Sequence, residues 1–89
     1  MFLLPERLTH DLAAPSVEAL GVMLAGETGP EVVADASALR EFDSSALAVL
    51  LACRRQVLAA GKRFSVLALP DRLRQLAGLY GVQDLLPAA

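Results

Sequence analysis

Asp43, Ser44 and Ser45 stand together in "REFDSSALAVLLACRR", residues 40–55, and eight apolar residues follow, Ala46 to Cys53. An acid and two hydroxyls at such a boundary have a limited set of uses. The carboxylate can accept amide hydrogen bonds from the first turn of a helix and complement the positive end of its dipole. One capping residue is enough, so Ser44 and Ser45 are surplus to that task. Serine is also a mediocre helix former. Two of them in a first turn indicate either tolerance or use. A hydroxyl there can donate to a partner, or accept a phosphoryl group that nearby amides then stabilise. Asp43 would repel that phosphate, so modification would change the corner sharply without melting the helix.

The remaining reactive side chains point to less. Asp35 closes "EVVAD" without a second acid or a histidine paired to it. It is expected to point outward at a strand end, or to bond loop amides. His10 is the single histidine, in a polar stretch beside an element boundary, with no nucleophile or orienting acid next to it in sequence. A solvated residue is the expectation there, not a general base. Cys53 is alone, which leaves no disulfide framework and no cysteine cluster for a metal, and its apolar helical setting makes it core. Tyr80 reads as a core-edge aromatic. No glycine-rich phosphate loop of the Walker type is present, so nucleotide hydrolysis is not expected. The chain is expected to be no enzyme, with no catalytic residues, cofactor or metal.

The elements that must carry these groups follow from periodicity. "FLL", residues 2–4, is stopped by Pro5 and suits an edge strand, with a resumption at Arg7 and Leu8. Thr9, Asp11 and Ser16 are alternative caps for a first helix that tolerates Pro15 only in its first turn. Val17, Leu20 and Leu24 fall at helical spacing, and "GETGP", residues 26–30, is loop. "EVVADAS", residues 31–37, reads as a strand entering the interior, because Val32, Val33, Ala34 and Ala36 are nearly continuous. A second helix spans about Ser44 to Ala60 and stops at Gly61. "RFSVLAL", residues 63–69, alternates with period two and is a strand. Pro70 and Asp71 open a third helix, with Leu73, Leu76, Ala77 and Tyr80 on one face, and Gly81 ends it. Strand and helix alternate with short links, which implies an α/β layer fold with a parallel crossover.

The second helix has two faces. Ala46, Leu50, Cys53, Val57 and Ala60 form a buried stripe, widened by Leu47, Leu51 and Leu58. The opposite face carries Ser45, Ala48, Ala52, Arg55, Gln56 and Ala59. A solvent face normally carries Glu and Lys pairs, and this one has none. Alanine is the best helix former, so a bland solvated surface is one reading. A docking surface, where small side chains admit another helix, is the other and the preferred one.

Composition narrows the function further. With 89 residues, 55% of them hydrophobic and 20% charged, the chain is expected to be one domain and not a disordered tail. A net charge of −2, with Lys and Arg scattered, disfavours nucleic acid. "MFLLPERLTH" lacks the basic region of a secretory signal, and no apolar run approaches the roughly 20 residues of a membrane span. The expectation is a cytoplasmic protein with no direct membrane insertion. The exposed edge of the first strand leaves self-association open.

The segment "VVADASALREFDSSALAVLLACRRQVLAAGKRFSVLALPDRLRQLAGLYGVQDLL" resembles the STAS domain family. There a strand ends in Asp-x-Ser, an Asp-Ser-Ser-Gly-like step opens a helix, and Gly precedes the next strand. The resemblance covers about residues 31–86 and implies an α/β STAS-like fold, a small mixed β-sheet with three to four helices packed on it. The short length and the "LAGLYGVQDLLP" ending are most similar to the cytoplasmic STAS subunits of Mla-type phospholipid ABC transporters. That branch implies a protein partner, the transporter's ATPase subunit at the inner membrane, and a role in outer-membrane lipid asymmetry. Asp43, Ser44, Ser45, Ala48, Ala52 and Arg55 would then form the partner-binding surface. Other members are anti-sigma factor antagonists, in which the serine after the Asp is phosphorylated; by position that is Ser44. Two departures stand out. Ala46 replaces the usual Gly, and the N-terminal part has room for little more than one strand of the usual opening hairpin.

Overall fold

Apolar residues at every second position of three strands build a parallel sheet in the computed structural model, which describes residues 1–89. The strands are β1 (Phe2–Leu3), β3 (Glu31–Asp35) and β5 (Arg63–Leu67), in the order β1-β3-β5. Phe2 pairs with Ala34, and Val32 with Phe64. Between successive strands of this sheet lie α1 (Ala13–Ala25) and α2 (Ser45–Ala59), which pack on one another; α3 (Asp71–Leu79) follows β5. Short 3-10 turns cover His10–Leu12 and Gln83–Leu85. The expectation of an α/β fold with three helices is met. The expected mixed sheet is replaced by an all-parallel one, because the N-terminal segment supplies β1 and no antiparallel hairpin partner for it.

The core gathers 21 buried side chains, all apolar, among them Phe2, Leu4, Leu20, Val32, Ala34, Leu50, Phe64, Val66 and Leu73. Burial of apolar area is the dominant favourable term for such a chain. Only one sheet face contributes fully. Val33 and Ser65 are half-buried and Leu3 and Leu67 are exposed on the other face. The continuous apolar run at Val32–Ala34 therefore does not mean two-sided burial, and Val33 corrects that expectation.

A second, two-stranded ladder matters more for function. β2 (Arg7–Leu8) pairs in parallel with β4 (Glu41–Phe42), in the register Leu8↔Phe42. The Glu6 carbonyl accepts the amides of Arg40 (2.8 Å) and Glu41 (3.1 Å), and Arg7 Nε donates to Glu41 Oε2 at 3.0 Å. Leu8 is fully buried beneath it. Parallel pairing sends both chains out of the ladder in the same direction. The residues that come next, Thr9–His10 and Asp43–Ser44, thus emerge side by side.

Element ends follow backbone chemistry. Gly61 (φ +75°) and Gly81 (φ +72°) take the left-handed conformation that stops α2 and α3, where a Cβ would be strained. Ala68 takes it too, at φ +57°. The strand expected to reach residue 69 ends at Leu67, and the kink at Ala68 swings Leu69 into the core at 8% exposure. Glycine at this exposed position relieves the Cβ clash and loses part of the gain to chain entropy. Ala68→Gly is expected to stabilise the protein by about 0.5–1 kcal/mol, read as a higher urea midpoint with unchanged slope.

Candidate functional site

Asp43 organises the corner where β4 meets α2. Its Oδ1 accepts the Ser45 amide at 2.8 Å, and its Oδ2 accepts the His10 amide at 3.0 Å. The Ala46 amide donates to the Asp43 carbonyl at 3.0 Å, so the helical turn begins at Asp43, as a capping role requires. One carboxylate caps α2 and clasps the N-terminal turn to it. These amides, Ser45's first and His10's second, hold the Asp43 carboxyl below its ordinary value by favouring the charged form. A depressed carboxyl contributes stability above its unfolded pKa and loses it as pH falls through the folded pKa. The clasp is expected to be complete above about pH 4 and to open below it. The amide resonances of His10 and Ser45 should titrate together with the Asp43 carboxyl.

The two serines have separate fates. Ser45 is half-buried, and its Oγ lies 3.3 Å from Nδ1 of His10. It is not a spare hydroxyl. Ser44 already has helical torsions (φ −62°, ψ −17°), is exposed, and makes no capping hydrogen bond through its side chain. Only Ser44 presents an uncommitted hydroxyl. His10 is exposed, as expected, yet the Ser45 contact across 35 positions was not visible in sequence. The Asp43 carboxylate takes the main-chain amide of His10 and leaves the ring unoriented by an acid.

Beside Ser44 opens a shallow notch of about 340 Å³, lined by Ser44, Leu47, Ala48, Leu51, Tyr80 and Val82. Tyr80 is 60% exposed, and so is a feature of this surface more than of the core edge. Ala48 and Arg55 are exposed along the same side of α2, and Ala52 is half-buried. The sequence-derived face is otherwise rotated. Gln56 turns toward α1 and donates from Nε2 to the Gly21 carbonyl at 3.0 Å. Val49 is buried, whereas Leu58 and Ala60 are exposed. Because α1 packs beside α2, the buried arc shifts toward Val49 and away from Leu58. Of the six expected site residues, Asp43, Ser44, Ala48 and Arg55 are exposed together along this corner and helix, while Ser45 and Ala52 are half withdrawn.

The other reactive groups are elsewhere. Asp35 Oδ1 accepts the Ser37 amide at 2.9 Å, which lowers its carboxyl pKa and matches the expected loop-bonding role. Cys53 is 3% exposed, and burial pushes its thiol up to about 11, the reverse of an activated nucleophile.

Residues 4–87 match the family model described as "Mlab, STAS domain". The chain belongs to the STAS domain family. The expected resemblance extends further toward the N-terminus than residue 31, so β2, the His10 turn and α1 are part of the family's fold. STAS domains are in general binding or regulatory domains without catalysis of their own. No curated protein matches this STAS domain. No helix in it is long and apolar enough to cross a membrane.

Proposed function

We propose that this STAS domain, acting as one unit over residues 1–89, is a non-catalytic subunit of an Mla-type phospholipid ABC transporter. It binds the transporter's ATPase subunit, stabilises or regulates it, and is held peripherally at the cytoplasmic side of the inner membrane through that partner. The role served is intermembrane phospholipid transport that maintains outer-membrane lipid asymmetry. The observation that carries this reading is the uncommitted Ser44 hydroxyl at the rim of the notch between α2 and Tyr80. A polar donor beside a small apolar recess suits protein recognition, with a central anchor and a directional hydrogen bond. Ala48 allows close approach and Arg55 supplies a charge at the far end. Purification of the tagged protein from its native cells tests the proposal: it is expected to recover an ABC ATPase together with its permease.

The same hydroxyl favours one second reading, an anti-sigma factor antagonist switched by phosphorylation. Ser44 is the exposed serine of the pair, whereas Ser45 is turned to His10. This reading requires the intact mass to rise by one phosphoryl group at Ser44 with a partner kinase. A chain unmodified under all growth conditions removes it.

A further inference from the structure

The stretch after α3 crosses from the Ser44 notch to the outer edge of β5. Val82 lines the notch and is half-buried. At the far end the chain forms an isolated parallel bridge, Val66↔Ala88. There the Val66 amide donates to the Pro87 carbonyl at 2.9 Å, and the Ala89 amide to the Val66 carbonyl at 3.0 Å. The turn Gln83–Leu85 joins the two ends with overlapping bonds. The Leu85 amide donates to the Val82 carbonyl (3.0 Å) and the Leu86 amide to that of Gln83 (3.1 Å). Residues 82–86 are thus one braced body, with the positive-φ Gly81 as the pivot where it leaves α3.

Little holds that body down. Leu86 is the one buried side chain in residues 82–89, and Gln83, Asp84 and Pro87–Ala89 are exposed. A cleft of about 270 Å³ lies beneath it, with Leu86, Pro87 and Ala88 on one side and Val66, Leu69 and Ala77 on the other. Atoms that face open space lack the close contacts that pin a packed segment. A segment with few buried apolar contacts opens at a free energy below that of global unfolding.

We infer that Val82–Ala89 is a latch, hinged at Gly81, that opens as one unit and ties the edge of β5 to the notch. Closed, it sets Val82 beside Leu47 and Leu51 as a wall of the notch. Open, it removes that wall and frees the Val66 amide. A partner seated in the notch meets Val82 only in the closed form. Its differential affinity then holds the latch shut, and by linkage a shut latch strengthens the partner's hold. This coupling rests on the notch being the partner site; the latch itself does not.

Amide hydrogen exchange of the full chain, resolved by NMR, is the test. The Val66 amide sits at one end of the latch; the Val82 amide, bonded to the Ala77 carbonyl at 2.9 Å across the pivot, sits at the other. One opening exposes both, so they are expected to share a protection factor. Ala89→Pro deletes an N–H of the bridge, and Pro87→Gly gives the open chain more conformations; both positions are exposed. Each variant is expected to speed exchange at Val66 and Val82 together by about twofold to fivefold. The Ala36 amide, which donates to the Leu67 carbonyl on the β3 side of β5, should keep its rate. Acceleration at Val66 alone overturns the latch, and so does equal acceleration at all three amides. Exchange mass spectrometry of the recovered ATPase complex reads the coupling. The segment holding Val66 is expected to slow at least about tenfold in the complex, and an unchanged rate overturns the coupling. A chain that recovers no ATPase ends the transporter reading, while exchange in the free chain still decides the latch.

Discussion

Leu50→Ala is expected to lower the unfolding free energy by about 3–4 kcal/mol, since it removes a fully buried leucine and leaves a cavity that its neighbours fill only in part. A chain of 89 residues has roughly 5–13 kcal/mol in total, so this single change removes a large fraction. Leu58→Ala, two turns further along α2, is expected to cost under about 1 kcal/mol, because Leu58 is 44% exposed and alanine is the better helix former. Helical spacing alone places both leucines on the buried side. Val49→Ala provides the converse case. Spacing leaves Val49 off the stripe, yet it is 1% exposed, and truncating it should cost about 1.5–3 kcal/mol. Urea unfolding of the three variants measures the rotation of the buried arc directly. Equal costs for Leu50 and Leu58 would mean that α2 buries Leu58 as deeply as Leu50 and would contradict the rotation.

That rotation marks where sequence reasoning reaches its limit. The long elements were legible because 13- and 15-residue helices repeat their apolar spacing several times over. Gly61 and Gly81 ended two of them for a backbone reason that glycine alone announces. The neighbour that sets which side of a helix is buried is a tertiary fact, and nothing in residues 45–59 says that α1 lies beside Val49 and Gln56. β2 and β4 have two residues each, too few for any period, so the ladder that brings His10 to Asp43 was invisible. Its consequence was invisible too: Ser45 reads as a spare hydroxyl until the imidazole beside it is seen. Ala68 adopts a positive φ without being glycine, and so gave no signal of the turn it makes. The Asp43 cap, by contrast, was legible because the requirement it answers is local.

Ser44→Glu and Ala48→Glu are each expected to weaken capture of the proposed ATPase partner by about a hundredfold while leaving the fold intact. Both positions are exposed, so neither substitution disturbs the core. A carboxylate at position 44 even complements the positive end of the α2 dipole, which favours the free protein. The cost appears only on binding. Each new charge stands at the rim of the notch lined by Leu47, Leu51 and Tyr80, where a partner's approach strips its water and the lining itself holds no counter-charge. Ser44→Ala separates the two roles of the hydroxyl. It removes one hydrogen bond without adding charge, so it should weaken capture by about fivefold to tenfold in a contact role. In a switch role the same variant keeps its partner and loses only the ability to be modified. Co-purification of ATPase and permease, scored by quantitative mass spectrometry against wild type, reads all three variants together. Undiminished recovery with both glutamates would place the partner on another face and end the assignment of this corner.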